Sequence, residues 1–288
     1  MMIGAGRSIL ISGCSSGIGE AAALTLQQRG YRVFAGVRRL SDGERLRQQG
    51  ITTLPLDITQ AASIEAALTT LLAATGGTLD ALFNNAGYGQ PGAVEDLTTD
   101  QLRAQFETNL FGTHELTRQV VAIMRQQGYG RIVVNSSLLG YVALPFRGAY
   151  NASKFALEGL FDTLRLELRL SGAEAIHLVL LEPGPIRSQF RANALYHYQQ
   201  AAIDTTGSPF RDSYPALERR LAGTANQTPF TLPATAVVQR LITALEARSP
   251  RARYRITLPS HLFALLRWLL PTSLLDRLLL AVARGELR

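Results

Sequence analysis

The sequence predicts an α/β fold in a single domain spanning residues 1–288: a doubly wound, mostly parallel sheet with helices on both faces. Three observations carry that expectation. From Arg7 to about Leu181, short β-branched or apolar runs alternate with longer amphipathic segments, the pattern of βαβ units and a parallel sheet. A glycine-rich turn with Gly13, Gly17 and Gly19 stands where the first strand hands over to the first helix. No internal repeat or low-complexity linker divides the chain.

"SILISG", residues 8–13, reads as the first strand, and residues 17–29 as the first helix. "YRVFAGV" is the second strand and "TTLPLDI" the third, with a short helix over 44–48 between them. A helix over 63–74 leads to the strand "LDALFNNAG". One long helix is expected over 99–127, followed by the strand "GRIVVNSS", a helix over 150–171 and the strand "AIHLVLLEPG". Right-handed crossovers then give the doubly wound arrangement. Residues 189–232, with scattered Pro, Gly, Thr and Tyr, are read as a helical substrate lid, because long connections in compact domains are usually functional. A helix resumes at "PATAVVQRLITALEA" with Pro233 in its first turn, a short strand follows at "RYRITLP", and residues 258–288 form an amphipathic C-terminal extension.

A hydrophobic fraction of 47% and a charged fraction of 18% suit a globular chain with a sizeable core. The formal charge of +7 comes mostly from arginine, Lys154 being the one obvious lysine in the middle section. A basic balance suits nucleic acid, a membrane surface or a phosphorylated ligand. No basic run with interleaved aromatics occurs, so no nucleic-acid partner is expected. Cys14 is the only cysteine and the N-terminus lacks a secretory pattern, so a cytoplasmic location is expected. Four scattered histidines lack ligand spacing, and no metal site is expected. The leucine-rich tail, broken by Arg267, Pro271 and Asp276, is too interrupted to span a bilayer. It is expected to pack on the core, failing that on a second subunit of a dimer or tetramer, and failing that weakly on a membrane surface.

At the glycine turn the backbone can bend sharply and a pyrophosphate can approach without meeting a Cβ. Helix-start N–H groups then face the anion. The context of strand, turn and helix therefore makes Gly13, Gly17 and Gly19 a dinucleotide cradle of Rossmann type. A site that selects NAD needs a carboxylate after the second strand. None occurs between Tyr31 and Leu40, where Arg38 and Arg39 stand instead, and an arginine fork suits a 2′-phosphate. NADP is the expected cofactor. Asp57 can accept from the adenine amino group or cap the following helix, and both readings stay open.

Tyr150 and Lys154, four residues apart, share a helix face. With "SGCSSGIG" (Ser12–Gly19), "NNAG", "TNLFG", "VNSSLLG", "YNASK" and "EPGPIRS" in that order, residues 7–250 resemble the short-chain dehydrogenase/reductase family. "VRR", "LPF" and "SKFALEGL" are similar to NADP-dependent 17β-hydroxysteroid dehydrogenases and to bacterial aldehyde reductases. The resemblance implies a catalytic set of Asn109, Ser137, Tyr150 and Lys154. Tyr150 would be the general acid or base, its phenol brought down from about 10 by Lys154 and the oxidised nicotinamide. Ser137 would hold the substrate oxygen, and Asn109 a water linked to Lys154. Ser15, Ser16, Ile18, Ile58, Asn85, Ala86 and Gly87 would line the cofactor, with Pro183, Gly184, Ile186 and Ser188 at its carboxamide.

Val142, Phe146 and Phe190 are expected to line a mostly apolar substrate pocket. The implied reaction is hydride transfer between nicotinamide and a hydrophobic aldehyde, ketone or alcohol, steroid- or retinoid-like molecules included. The alternative is a silent NADP(H)-binding sensor of the same fold. An epimerase or dehydratase of the longer-chain relatives fits the glycine spacing and the length less well.

Overall fold

The computed structural model describes residues 6–223 and 230–287. β1 (Ser8–Ile11) is buried along its whole length, and α1 (Gly17–Gln28) follows, burying Ala22, Ala23 and Leu26. β2 (Arg32–Val37), α2 (Glu44–Gln48), β3 (Thr52–Pro55) and α3 (Ala61–Thr75) complete the first half. After β4 (Ala81–Asn84), a capping box of Thr98 and Gln101 starts α4 (Thr99–Phe106). A π-helical turn, Glu107–Gly112, joins α4 to α5 (Thr113–Gln127). The single helix expected over 99–127 is thus continuous in course but interrupted in its hydrogen bonding. β5 (Gly130–Asn135), α6 (Gly148–Leu170) and β6 (Ile176–Glu182) follow in the expected order.

Beyond β6 come β7 (Ile186–Arg187), α7 (Phe190–Ala201), α8 (Tyr214–Ala222), β8 (Leu232–Pro233) and α9 (Ala234–Glu246). β9 (Arg253–Arg255), α10 (Leu258–Leu269) and α11 (Thr272–Glu286) end the chain. Pro233 does not enter the first turn of α9. It is the N-cap and pairs with Arg187 in a two-stranded sheet. Within the segment read as a lid, α7 and α8 are helical, while residues 224–229 lie outside the described residues.

The main sheet has the order β3-β2-β1-β4-β5-β6-β9, and every neighbouring pair is parallel. The chain winds outward one way from β1 to β3 and the other way from β4 to β9, so its direction reverses between β1 and β4. A crevice opens at such a switch point, at the carboxyl ends of the strands. Alternation along β1 sends Ile9 and Ile11 into the layer that contains Ala22, Leu26, Val237 and Leu241, and Leu10 into the layer with Leu71, Val120 and Phe161. Both faces are covered, which is why the strands read as continuous apolar runs.

The C-terminal extension lies on the core, the first of the places expected for it. Phe263, Leu275 and Leu279 pack with Leu138 and Val142. Val142 is therefore part of this contact, buried under α10 and α11, and not a wall of the substrate cleft as expected. Leu265, Trp268 and Leu269 stay exposed. No helix among the described residues is long and apolar enough to cross a membrane.

An ion network fixes the far edge of the sheet. Arg253 of β9 reaches Glu158 at 2.9 Å and Glu182 at 2.9 Å and also pairs with Asp162, while Arg255 reaches Glu182 at 3.1 Å. Glu182 is almost fully buried at 1% exposure, so its charge depends on these partners. Removing one partner of a buried pair strands the rest. Arg253→Met should lower unfolding free energy by about 3–5 kcal/mol in urea titrations, whereas a loss of under about 1 kcal/mol would mark the network as a surface pair in energetic terms.

Candidate active site

The nucleotide end is built by the turn after β1. Gly13 and Gly17 have φ of +71° and +64°, the left-handed region. A Cβ on Gly13 would come within 2.8 Å of the Ala86 backbone, and one on Gly19 within 2.2 Å of the Gly13 carbonyl. Ser12 Oγ accepts from the N–H groups of Asn85 and Ala86 at 3.0 and 3.1 Å, and Asn85 Nδ2 donates to the carbonyls of Ser12 and Gly13. The glycine turn and the end of β4 are thereby locked together. Ser16 is the N-cap of α1 yet makes no side-chain cap, so the first amides face outward without an internal acceptor. That geometry fits a pyrophosphate.

Gly13, Ser15, Ser16, Gly17 and Ile18 line a cleft of about 1160 Å³ that runs along the switch point. Gly19 is outside the lining, its smallness serving the turn's own packing. Arg38, Arg39, Asp57, Ile58, Asn85, Ala86 and Gly87 line the same cleft. Arg39 is paired with Asp42 at 3.1 Å and is exposed. Arg38 lies close enough to His197 that its charge, with burial, pushes that imidazole down. Asp57 Oδ1 accepts from Thr59 N–H and Oγ1 at 3.0 and 2.7 Å, so the carboxylate braces the turn before α3, whose N-cap is Gln60.

At the other end, Ser137 stands close enough to Tyr150 for its hydroxyl to act on the phenol. Ser137 caps the short turn after β5, its Oγ accepting from Leu139 N–H at 3.1 Å. Tyr150 lies in the first turn of α6, with the Phe190 ring edge-on at 5.2 Å. Lys154, one turn on and the only lysine in the chain, is buried. Its ammonium donates to the Asn135 carbonyl at 2.7 Å and lies 5.7 Å from the Tyr150 ring centre.

Burial dominates the protonation of both groups. It pushes the Tyr150 phenol up to about 12, opposed by the Ser137 hydrogen bond and the nearby Arg147 charge. It pushes Lys154 down to about 8, opposed by Glu158. The Lys154 ammonium donates to Asn135 while lying over the Tyr150 ring, and the Arg147 charge also favours the phenolate.

Asn109 sits in the π turn and is fully engaged with protein. Its Oδ1 accepts from Tyr88 N–H at 3.1 Å, and its Nδ2 donates to Tyr88 O at 2.9 Å and Ser153 Oγ at 3.1 Å. These side-chain bonds brace Tyr88 against α6. Pro183, Gly184, Ile186 and Ser188 line the cleft after β6, and Gly184 has no room for a Cβ, which would fall 2.1 Å from Thr257 Oγ1. Phe146 and Phe190 line the cleft that holds Tyr150. Phe146 has φ of +61° and packs edge-on against Phe210 and Tyr214. Cys14 is inside the turn, its thiol donating to Ile11 O at 3.2 Å and pushed up by burial, as suits a packing residue.

Among the lining residues that escaped the sequence reading are Arg147, Arg191, Arg220 and Glu286. Arg147 and Glu286 are 139 positions apart, and no local spacing could join them.

The profile described as short chain dehydrogenase matches residues 7–199. An uncharacterized oxidoreductase, YbbO of Escherichia coli, is 38% identical over 273 residues, covering 95% of this chain and 94% of that protein. Human 17-beta-hydroxysteroid dehydrogenase type 1 is 33% identical, covering 86% of this chain and 77% of its own length. The crystal structure of a short chain dehydrogenase/reductase from Burkholderia phymatum in complex with NAD superposes with a TM-score of 0.78 at 26% identity, over 93% of this chain and 94% of that one. With a glycine-rich turn at one end of the cleft and Ser137, Tyr150 and Lys154 at the other, the chain belongs to the short-chain dehydrogenase/reductase family of oxidoreductases.

Proposed function

We propose that the protein is an NADP-dependent carbonyl reductase or alcohol dehydrogenase acting on a largely apolar aldehyde, ketone or alcohol. The observation that carries this reading is the group of Ser137, Tyr150 and Lys154, with the serine and lysine buried, in the same cleft as the glycine turn. The outward amides at the start of α1, the backbone of Asn85–Gly87 and the turn 183–188 would hold the cofactor, with Arg38 at a 2′-phosphate. Bound there, NADPH would supply the hydride.

Ser137 and Tyr150, neighbours in the same cleft, would receive one carbonyl oxygen between them. Ser137 would donate to that oxygen as negative charge develops on it. Tyr150 would then pass it the phenolic proton. A phenol held near 12 keeps that proton throughout the neutral range, which suits reduction. Oxidation would require the phenolate, which burial disfavours. Lys154, fixed by Asn135 O, would steady the charge left on Tyr150. Asn109 acts at one remove, bracing Tyr88 and α6. The sensor alternative would leave this buried constellation without a use.

Tyr150→Phe should cut kcat/KM for medium-chain aldehydes by at least about 100-fold, the worth of a general acid, while NADPH still binds; unreduced turnover would sink the acid role. Arg38→Ala should narrow the NADPH-over-NADH ratio of kcat/KM by roughly tenfold, the worth of one charge-assisted hydrogen bond. An unaltered ratio would remove Arg38 from the phosphate site. Because Lys154 is the only lysine, isotope labelling of lysine places one side-chain ammonium in the NMR spectrum. It should titrate at about 8 in the free protein, and reduction should slow as pH rises through that value and the positive charge is lost. A midpoint at the ordinary lysine value of about 10.4 would contradict the buried, desolvated setting.

A further inference from the structure

The two C-terminal helices are apolar on the side that faces away from the core as well as on the side that meets it. On α10 the inner face is made by Ser260, Phe263 and Arg267. Ser260 is fully buried and its carbonyl accepts from the Tyr141 hydroxyl at 2.7 Å, and Phe263 packs with Leu138 and Val142. Arg267 donates to the Tyr141 carbonyl and stands 5.2 Å from the Phe155 ring centre. Leu258, Leu262, Leu265 and Leu269, at i, i+4, i+7 and i+11, run along the opposite face, and each is about half exposed. Trp268 beside them is 81% exposed. A helix apolar all round is normally buried, so a row of four leucines turned to water marks a surface that meets something.

α11 repeats the arrangement with charge added. Leu275, Leu279 and Ala283 turn inward, while Leu274, Leu278 and Leu280 are exposed. Arg277 and Arg284, seven positions apart on the outward side, are exposed and form no ion pair among the described residues. The exposed carboxylate on these two helices is Asp276, because Glu286 is taken up by Arg147 and Arg220. The chain as a whole carries +7.

A second copy and a lipid bilayer could each cover leucine rows, and charge decides between them. A two-fold contact sets the same patch against itself, which would bring the unpaired arginines of two strongly cationic chains together. An anionic bilayer offers each group a partner instead. The leucines meet the acyl boundary, the guanidiniums meet phosphates, and a tryptophan finds the interfacial depth it favours.

We propose that the outward face of α10 and α11 docks on an anionic phospholipid surface, with the leucine row and Trp268 entering the headgroup–acyl boundary and Arg277 and Arg284 on lipid phosphates. The attachment lies along the surface and is not a span, since no described helix is long and apolar enough to cross. It requires neither cofactor nor carbonyl, and so stands apart from the oxidoreductase reading.

Trp268 is the only tryptophan in the chain, so its fluorescence reports on this face alone. The full chain is titrated with vesicles of phosphatidylcholine, with or without phosphatidylglycerol, one set carrying brominated acyl chains. On phosphatidylglycerol vesicles the emission should shift to the blue and be quenched by the brominated chains, with an affinity at least about tenfold above that on phosphatidylcholine alone. Arg277→Gln and Arg284→Gln should each weaken that binding about fivefold, the worth of one charge at an anionic surface. Leu262→Ser with Leu265→Ser should weaken it at least about tenfold in cosedimentation, with circular dichroism unchanged. Vesicle binding without quenching, equal binding to the two compositions, or no binding at all would overturn the proposal. So would an emission shift that grows with protein concentration in the absence of lipid and disappears in the double leucine variant, since that gives the face to a second copy. Should the leucine variant misfold, the arginine variants decide, and an affinity unchanged in both counts against the lipid surface.

Discussion

Lys154 keeps an ammonium where its surroundings disfavour one, and the Asn135 carbonyl 2.7 Å away makes that tolerable. The contact joins the last residue of β5 to the second turn of α6. Much of the site follows from it. Because β5 is a central strand, paired to β4 on one side and β6 on the other, Asn135 cannot shift without moving the sheet. α6 is held at a fixed rotation by the same bond, and that rotation brings Tyr150 to Ser137. Asn109 supports α6 from the opposite side through Ser153. The proton-bearing groups are thus positioned by backbone more than by each other, which is the kind of preorganisation that electrostatic catalysis requires.

The nucleotide end is fixed differently, by the lack of side chains. Gly13 and Gly19 leave no space for a Cβ, and the room saved is filled by Asn85 and Ala86 from the next strand. One end of the cleft is therefore set by close backbone contact and the other by a buried cation. The two are tied because Asn135 Nδ2 donates to Asn85 Oδ1 at 3.1 Å while its carbonyl holds Lys154. Asn135 stands at the junction of the two halves.

How much of this was legible in the sequence follows from the range of the interactions. The sheet, its order of elements and the helices over 17–28, 44–48 and 148–170 depend on local periodicity and on glycine placement, so they could be read directly. The glycine turn and the Tyr–Lys pair are likewise local spacings. Val142 was misplaced because an apolar residue near Tyr150 can face the cleft or the tail, and only the packing of α11 decides it. The π turn at Asn109 changes hydrogen-bond register without changing residue pattern. The upward push on the Tyr150 phenol comes from burial, which spacing along the chain does not report. Arg147, Arg191, Arg220 and Glu286 come from four separate helices, and only the tertiary fold brings them together.

The division between sheet and attached helices bears on how such a protein can change. Every group assigned to proton handling sits on β5, α6 or the π turn, inside the wound core. The substrate wall is drawn largely from α7, α8 and α11, none of which contributes a strand to the main sheet. Leu217, Arg220 and Glu286 line the cleft without touching the contacts that hold Asn135, Lys154 and Tyr150 in place. Selectivity and chemistry are therefore separable by mutation in this fold, and new substrates can be acquired one helix face at a time.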